Sequence, residues 1–199
     1  MFTVEGVPAQ PNLMQQRIAY VVGTDRAVCN FSGTGAGKTL SAILASRVIQ
    51  AELTVILTAN STLVGWQEAI HGAFHGCHVA FTVDALALAP HGAPRYLILN
   101  YEKFQVAGAE SMADALVSLK PDFVVLDEIQ FNKERKGVRT SARRRVLHDM
   151  VQRIPTTGIL AMTATPVIND LHELKALMET SLRRRLEMGT QPTQENALH

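Results

Sequence analysis

The sequence predicts an α/β fold in which helices cover both faces of a doubly wound parallel sheet. Apolar strand-like runs alternate with helix-patterned runs along the chain, and one predicted strand, 123–126, is apolar throughout, as in sheets covered on both faces. A glycine-rich turn also lies directly between the first predicted strand of this sheet and the following helix. With 199 residues, 47% of them hydrophobic, the chain can bury one core.

One domain is therefore expected over residues 1–189, followed by a polar tail or linker over 190–199. In a sheet of this kind the carboxyl ends of the strands meet at one edge, the carboxyl edge, where ligands bind. Strands are predicted at 27–31, 54–58, 79–83, 96–100, 123–126 and 159–162. Helices are predicted at 40–51, 63–74, 111–119, 140–152 and 171–181.

The segment 32–39, SGTGAGKT, follows the first of these strands and is named the glycine turn. Its glycines allow a positive φ, and the next helix N-terminus adds positive potential, so backbone N–H groups can surround phosphate. Lys38 would reach the β- and γ-phosphates, and Thr39 would bind Mg²⁺. Ser32 stands where the full pattern GxxxxGK[ST] has glycine, and a turn without a ligand is the alternative for this segment alone. The residues expected around the phosphates are Gly33, Thr34, Gly35, Ala36, Gly37, Lys38 and Thr39.

Two adjacent carboxylates, named the acidic pair, follow the strand 123–126 in the segment PDFVVLDEIQ. They emerge at the carboxyl edge, as the glycine turn does. Asp127 can hold Mg²⁺ directly or through water, and Glu128 can orient and deprotonate an attacking water molecule. The alternative is that both acids open a helix, where the helix dipole favours negative charge.

A third segment, ILAMTATPVIND at 159–170, completes an ordered set of motifs. With the glycine turn and the acidic pair, it resembles the first RecA-like lobe of superfamily 2 helicases and translocases, and within these the Snf-type DNA translocases of the chromatin-remodeller branch. The other similar segments are LMQQRIAY at 13–20 (glutamine motif), TVILTANSTLVGWQEAI at 54–70 (motif Ia), YLILNYEKF at 96–104 (SYE turn), DEIQFNK at 127–133 (motif II) and MTATPVINDLHEL at 162–174 (motif III).

The resemblance implies a RecA-like P-loop NTPase lobe that binds ATP and Mg²⁺. It implies that Lys38, Asp127 and Glu128 are catalytic, that Thr39 and Asp127 serve the metal, and that Gln16 reads adenine. The implied partner is nucleic acid, in this branch double-stranded DNA.

The resemblance also implies that Gln130, Thr163 and Thr165 couple the nucleotide site to the nucleic-acid track. The chain departs from the family pattern in three places. Asn100 replaces the serine of the SYE turn, Gln130 stands where many relatives have histidine, and Ala164 stands where this branch usually has glycine. The coupling role of Gln130 therefore rests on a weaker match to the family pattern than the other motif residues have.

Motors of this family hydrolyse ATP between two RecA-like lobes, and the second lobe supplies an arginine and half of the nucleic-acid track. The residues after motif III are too few for that lobe. We therefore expect a fragment of a longer motor or one half of a split motor, which binds nucleotide weakly and turns over slowly on its own.

The sequence leaves two other functions open. One is a DEAD/DEAH-type helicase lobe or the motor of a restriction system, against which the SYE-like turn and the TPxxN continuation speak. The other is a non-hydrolysing regulatory module that keeps nucleotide binding as a switch. The intact Lys38 and acidic pair weigh against that module, whereas the missing second lobe favours it.

Charge is balanced overall, at +1, but it is distributed unevenly. Residues 1–130 carry seven Lys or Arg and eleven Asp or Glu, whereas residues 131–199 carry twelve and seven. The densest basic run, 133–145, either contacts nucleic-acid phosphates or forms a solvated face. Arg183, Arg184 and Arg185 are expected to cap the C-terminus of a helix.

Histidines and a cysteine crowd a short stretch, but glycines interrupt any helix that could hold them as a zinc site. We expect a histidine-rich loop rather than a metal site there, and a buried structural thiol at Cys29. No apolar run is long enough to cross a membrane and no signal core is found, so an intracellular, cytoplasmic protein is expected. The clustered residues are His71, His75, Cys77 and His78.

Overall fold

The centre of the molecule is a six-stranded sheet in which all strands are parallel. The computed structural model describes residues 3–4, 7–8, 10–104, 108–129, 142–154, 158–165 and 179. The strands lie in the order β3-β8-β7-β4-β6-β5. Their bounds are β3 Ala27–Asn30, β4 Leu53–Thr58, β5 His78–Ala80, β6 Arg95–Asn100, β7 Phe123–Leu126 and β8 Gly158–Met162. A separate antiparallel pair, β1 Thr3–Val4 and β2 Val7–Pro8, precedes them.

Helices cover both faces of this sheet, which confirms the predicted α/β class. Helices α1, α2 and α3 contribute to the apolar cluster on one face, and α4 and α5 to the cluster on the other. Strand residues alternate between the faces, so that in β7 Val124 and Leu126 face one cluster while Phe123 and Val125 face the other. The helices are α1 Leu13–Asp25, α2 Lys38–Val48, α3 Leu63–Ala73, α4 Ala109–Ser118 and α5 Ala142–Arg153.

The predicted strands all form. β7 has the predicted bounds, the other strands are shifted at one or both ends, and β5 is shorter than predicted. Helix α2 begins at Lys38, two residues before the predicted start, so the last two residues of the glycine turn belong to its first turn. The helix predicted at 171–181 and the tail at 190–199 lie outside the described residues. Short 3₁₀ helices, Asn60–Thr62, Asp84–Leu88 and Tyr101–Phe104, complete the connections.

The first helix, α1, was not predicted as an element, although part of it carries the glutamine motif. Asn12 caps it and forms a capping box with Gln15, in which each side chain bonds to the other residue's backbone N–H at 2.9 Å. Both Leu13 and Tyr20 are exposed, which blurs the apolar periodicity along the helix. Among the described residues, no helix has the length and apolar character that a membrane crossing requires.

Candidate functional site

The glycine turn leaves β3 through a buried asparagine, Asn30, which is 2% exposed. Its side-chain oxygen accepts a bond from the backbone N–H of Ser32 at 3.1 Å and also contacts the Ser32 hydroxyl. Its amide donates to the hydroxyl of Ser41 on α2 at 3.4 Å. Asn30 thereby links β3 to both the glycine turn and α2 by hydrogen bonds. We did not predict this role, but a polar residue ending an apolar strand just before the turn is a signal for it.

The glycine turn presents backbone donors at the start of α2. Gly35 and Gly37 have φ of 72° and 82°, as expected for a phosphate-binding turn. Gly37 caps α2 without a side-chain bond, and the helical bonds begin with Ser41 N–H donating to Gly37 O at 3.0 Å. The N–H groups of Lys38 and Thr39 therefore precede the helical ladder and are oriented for a ligand.

Lys38 folds back into the turn that precedes it. Its ammonium donates to the carbonyl oxygens of Ser32 and Gly33, each at 2.9 Å. The positive charge is thus held beside the same backbone loop in which Gly35 and Gly37 have positive φ. Thr39, the predicted metal ligand, is half-buried in the first turn of α2.

The two glutamines of α1 have different surroundings. Gln15, 6% exposed, donates through Nε2 to Gly37 O at 3.4 Å, so α1 packs against the glycine turn. A Cβ at Gly37 would lie 2.5 Å from that nitrogen. Gln16, the predicted adenine reader, is exposed and donates to Pro11 O at 2.6 Å. Its contact with adenine stays a prediction, and Gln15 is the glutamine that touches the turn.

The carboxylate of Asp127 lies at the end of β7 and is only 8% exposed. Its Oδ2 accepts two hydrogen bonds, from the Thr58 hydroxyl and from the Trp66 indole N–H, each at 2.9 Å. Burial raises the pKa of Asp127 above its usual value, while the bonds from Trp66 and Thr58 act to lower it. The phenol of Tyr101 donates to the backbone oxygen of Asp127 at 2.8 Å.

The three donors around Asp127 were not among the predicted site residues. Thr58 ends β4, which pairs with β7, and Trp66 lies on α3, directly after that strand. Trp66 is the single tryptophan of the chain. A single tryptophan on the helix that follows β4 is the signal that could have pointed to this contact, because β4 pairs with the strand that ends at the acidic pair.

Glu128 has a left-handed backbone with φ of 49° and lies with Asp127 in a turn. The acids therefore do not open an α-helix within the described residues. A left-handed conformation at a residue other than glycine is uncommon and concentrates at functional positions. The half-buried Glu128 also contributes, through its charge, to the raised pKa of Asp127.

Thr163 follows β8 and contacts the end of the strand that leads into the glycine turn. It is fully buried, and its backbone N–H donates to Asn30 O at 3.2 Å. Its hydroxyl accepts a bond from the backbone N–H of Thr165 at 3.0 Å. Because β8 lies between β3 and β7, the glycine turn and the acidic pair are about two strand spacings apart, roughly 10 Å.

The predicted basic run lies largely outside the described part of the chain, and the histidine cluster lies within it. Gln130, Lys133, Arg135, Lys136 and Arg139 are not described, and Arg145 is exposed on α5. Among the described residues no three His, Cys, Asp or Glu side chains are grouped. His71 lies in the last turn of α3 and His78 begins β5, so only the residues between α3 and β5 form the predicted loop. His78 instead bonds through Nε2 to Ala85 O at 2.9 Å.

Comparison with known proteins gives a structural likeness and no match in sequence. No family model matches the chain, and no curated protein matches it. Among solved structures, the chain is similar to the SWI2/SNF2 ATPase core of Sulfolobus solfataricus in complex with dsDNA, with a TM-score of 0.65 and 16% identity. The match covers 90% of this chain and 36% of the other, so the chain spans about a third of that protein's length. The likeness confirms the fold, an α/β RecA-like lobe of the kind found in that ATPase core.

Proposed function

We propose that the chain is the ATP-binding motor lobe of a DNA-dependent ATPase of the Snf type. The observation that carries this proposal is made at the carboxyl edge. There the N-terminus of α2, which no side chain caps, lies with Lys38 at the same edge as the buried Asp127 and the turn of Glu128. A triphosphate needs such a combination of backbone donors, a cation and carboxylates. The likeness to the SWI2/SNF2 ATPase core supports the same assignment.

In this proposal the glycine turn binds the phosphate chain. The backbone from Gly33 to Thr39 donates to phosphate oxygens, and Lys38 exchanges its two carbonyl partners for the β- and γ-phosphates. The glycine φ values fit this task because side chains would obstruct a close backbone approach. Gln16 reads adenine, while Gln15 fixes α1 against the turn.

The donor set also fits Mg²⁺, which prefers hard oxygen ligands and keeps several waters. The Thr39 hydroxyl and the Asp127 carboxylate are the groups that would hold it, directly or through water. When bound, the metal would neutralise charge on the phosphate oxygens. Glu128 orients the attacking water and accepts its proton, acting as the general base. Its fixed left-handed backbone supports such a precise orientation.

The partners in this proposal are double-stranded DNA and a second RecA-like lobe, in the same or another chain. The dsDNA complex of the similar ATPase core and the basic run at 133–145 support the first. The second lobe would supply an arginine that stabilises charge in phosphoryl transfer. Thr163, Thr165 and Gln130 would couple the lobe's nucleotide site to the DNA track, since Thr163 contacts the strand of the glycine turn.

Nucleotide binding tests the proposal directly. Mg-ATP should raise the unfolding temperature of the wild-type chain, because a ligand that binds only the folded state stabilises it by RT ln(1 + [L]/Kd). Lys38→Ala should abolish this increase and leave the ligand-free unfolding temperature nearly unchanged. A matched control is Lys120→Asn, which removes an exposed cation before β7, at the opposite end of the strand from the acidic pair, and keeps a residue that tolerates the local φ of 48°. Equal stabilisation of wild type and Lys38→Ala by Mg-ATP would contradict the proposal.

A further inference from the structure

One oxygen of the Asp127 carboxylate is fully engaged by two side chains from outside the glycine turn and the acidic pair. Thr58 and Trp66 each donate to Oδ2 at 2.9 Å. A carboxylate oxygen has two lone-pair positions, so these donors saturate Oδ2. The carboxylate also accepts a hydrogen bond from the backbone of Glu128, and Oδ1 keeps the remaining lone-pair capacity for a cation or a cation-bound water.

We propose that Thr58 and Trp66 are positioning residues that fix the Asp127 carboxylate for metal binding and link it to helix α3. This inference rests on the proposed function, in which Asp127 serves Mg²⁺. Neither residue is proposed to touch the nucleotide; both act through the orientation of Asp127. The indole N–H and the hydroxyl hold one oxygen of a carboxylate that is only 8% exposed.

The packing of Trp66 extends this link into the helical layer. The indole is 2% exposed and belongs to the apolar cluster that also contains Ala42 and Ile43 of α2 and Met162 of β8. Helix α2 begins at the glycine turn. A rotation of the indole is therefore resisted by the same side chains that anchor the helix after that turn.

The backbone of Asp127 is held as well. Tyr101, buried in the 3₁₀ helix after β6, donates its phenol to the Asp127 carbonyl oxygen at 2.8 Å. Because this bond is made to the backbone of Asp127, Tyr101 fixes the position of the turn and not the direction of the carboxylate. Thr58 and Trp66 are the two side chains that bond to the carboxylate oxygen Oδ2.

Two substitutions remove the donors, the first at nearly constant volume and the second with the loss of one of the two rings of the buried indole. Thr58→Val deletes the hydroxyl and Trp66→Phe deletes the indole N–H while keeping an aromatic ring. Each should raise the Mg²⁺ concentration for half-maximal ATP binding by about 10- to 100-fold, the usual effect of losing a partner of a metal ligand. Binding of ATP measured in EDTA should not change. A fluorescent ATP analogue titrated at fixed Mg²⁺ concentrations provides both values.

Tyr96→Phe is the matched control. It also removes a buried hydroxyl from a hydrogen bond, here with Ser46 at 2.8 Å, but at the start of β6 and away from the carboxyl edge. It should lower the unfolding temperature without changing the Mg²⁺ requirement. A loss of stability in Thr58→Val that came with an unchanged Mg²⁺ requirement would show a purely structural role.

The emission of Trp66 gives a second measurement that does not need nucleotide. Since Trp66 is the single tryptophan and donates to Asp127, its emission should report on this contact. Thr58→Val and Asp127→Asn should each change the emission of the ligand-free chain, whereas Tyr96→Phe should leave it unchanged. Wild-type chain that fails to bind Mg-ATP would overturn both the proposed function and this inference. Wild-type binding with unchanged Mg²⁺ requirements and unchanged emission in the variants would overturn this inference alone.

Discussion

At the scale of single residues, Asp127 combines a charge with deep burial. Burial raises its pKa, the charge of Glu128 adds to this, and the bonds from Trp66 and Thr58 only oppose it. The folded chain therefore holds a proton on Asp127 more tightly than the unfolded chain does. Its ionisation costs stability: the free energy of unfolding decreases as pH rises from the ordinary value of 3.8 through the higher folded-state pKa.

Asp127→Asn should therefore stabilise the ligand-free protein at neutral pH. The amide carries no charge to desolvate, and its oxygen can still accept from Trp66 or Thr58. The unfolding temperature should rise by about 2–4 °C for each kcal/mol relieved in a chain of this size. Thermal unfolding followed by circular dichroism between pH 4 and 8 measures this difference in unfolding temperature. Asp25→Asn, at an exposed position, is the control. A lower unfolding temperature for Asp127→Asn at pH 7 would contradict the role of burial.

The two acids should differ in what they contribute to ATP hydrolysis. Glu128→Gln should keep Mg-ATP binding and slow hydrolysis by about 10²–10⁴-fold, the usual contribution of a general base. Asp127→Asn should instead weaken the Mg²⁺ dependence of binding itself. Phosphate release and nucleotide affinity, measured on the same preparations, separate the two roles. If both variants lost affinity equally, Glu128 would be structural.

At the scale of elements, the sequence predicted the strands of the sheet well because their apolar runs need only local periodicity. Helix α1 was missed because its exposed Leu13 and Tyr20 disturb that periodicity, and its start is encoded in the Asn12 and Gln15 capping box. The early start of α2 was missed for a related reason. Gly37 caps the helix through its backbone conformation, which no side-chain pattern records.

Gly37→Ala should damage the N-terminus of α2. Its φ of 82° costs about 1–2 kcal/mol for an L-residue, and the new Cβ would lie 2.5 Å from Gln15 Nε2. We expect a lower unfolding temperature and loss of the stabilisation by Mg-ATP. Gly65→Ala is the control: it lies in α3 with open space around its Cβ, and helix propensity should make it neutral or stabilising by up to ~1 kcal/mol. Equal effects of the two substitutions would contradict this account.

At the scale of the whole molecule, the acidic pair and the glycine turn were predictable as motifs, whereas their partners were not. Thr58 and Trp66 are distant from Asp127 in sequence and meet it only because β4 pairs with β7. Thr163 reaches Asn30 only because β8 lies beside β3. Strand order depends on how all helices pack on both faces, and local patterns do not contain that information.

In the proposed function, motor activity requires a second lobe. If a second lobe supplies the arginine, this chain alone should show little DNA-stimulated ATPase, and a matching second lobe should increase turnover by about 10³–10⁵-fold. DNA affinity of the chain alone should be weak and fall steeply with salt, because it would rest on phosphate contacts. ATP turnover with and without duplex DNA, at two salt concentrations, measures both. Robust stimulation by DNA in the absence of a second lobe would contradict the proposal.

Ser32 has a consequence for how such turns are detected in other sequences. It stands at the position of a signature glycine, yet its hydroxyl and its N–H both contact the side chain of Asn30. Two side chains thus close the junction between strand and turn in a way that glycine, without a hydroxyl, could not. A search profile that admits asparagine two residues before serine at this position would accept this turn, which a strict glycine pattern discards.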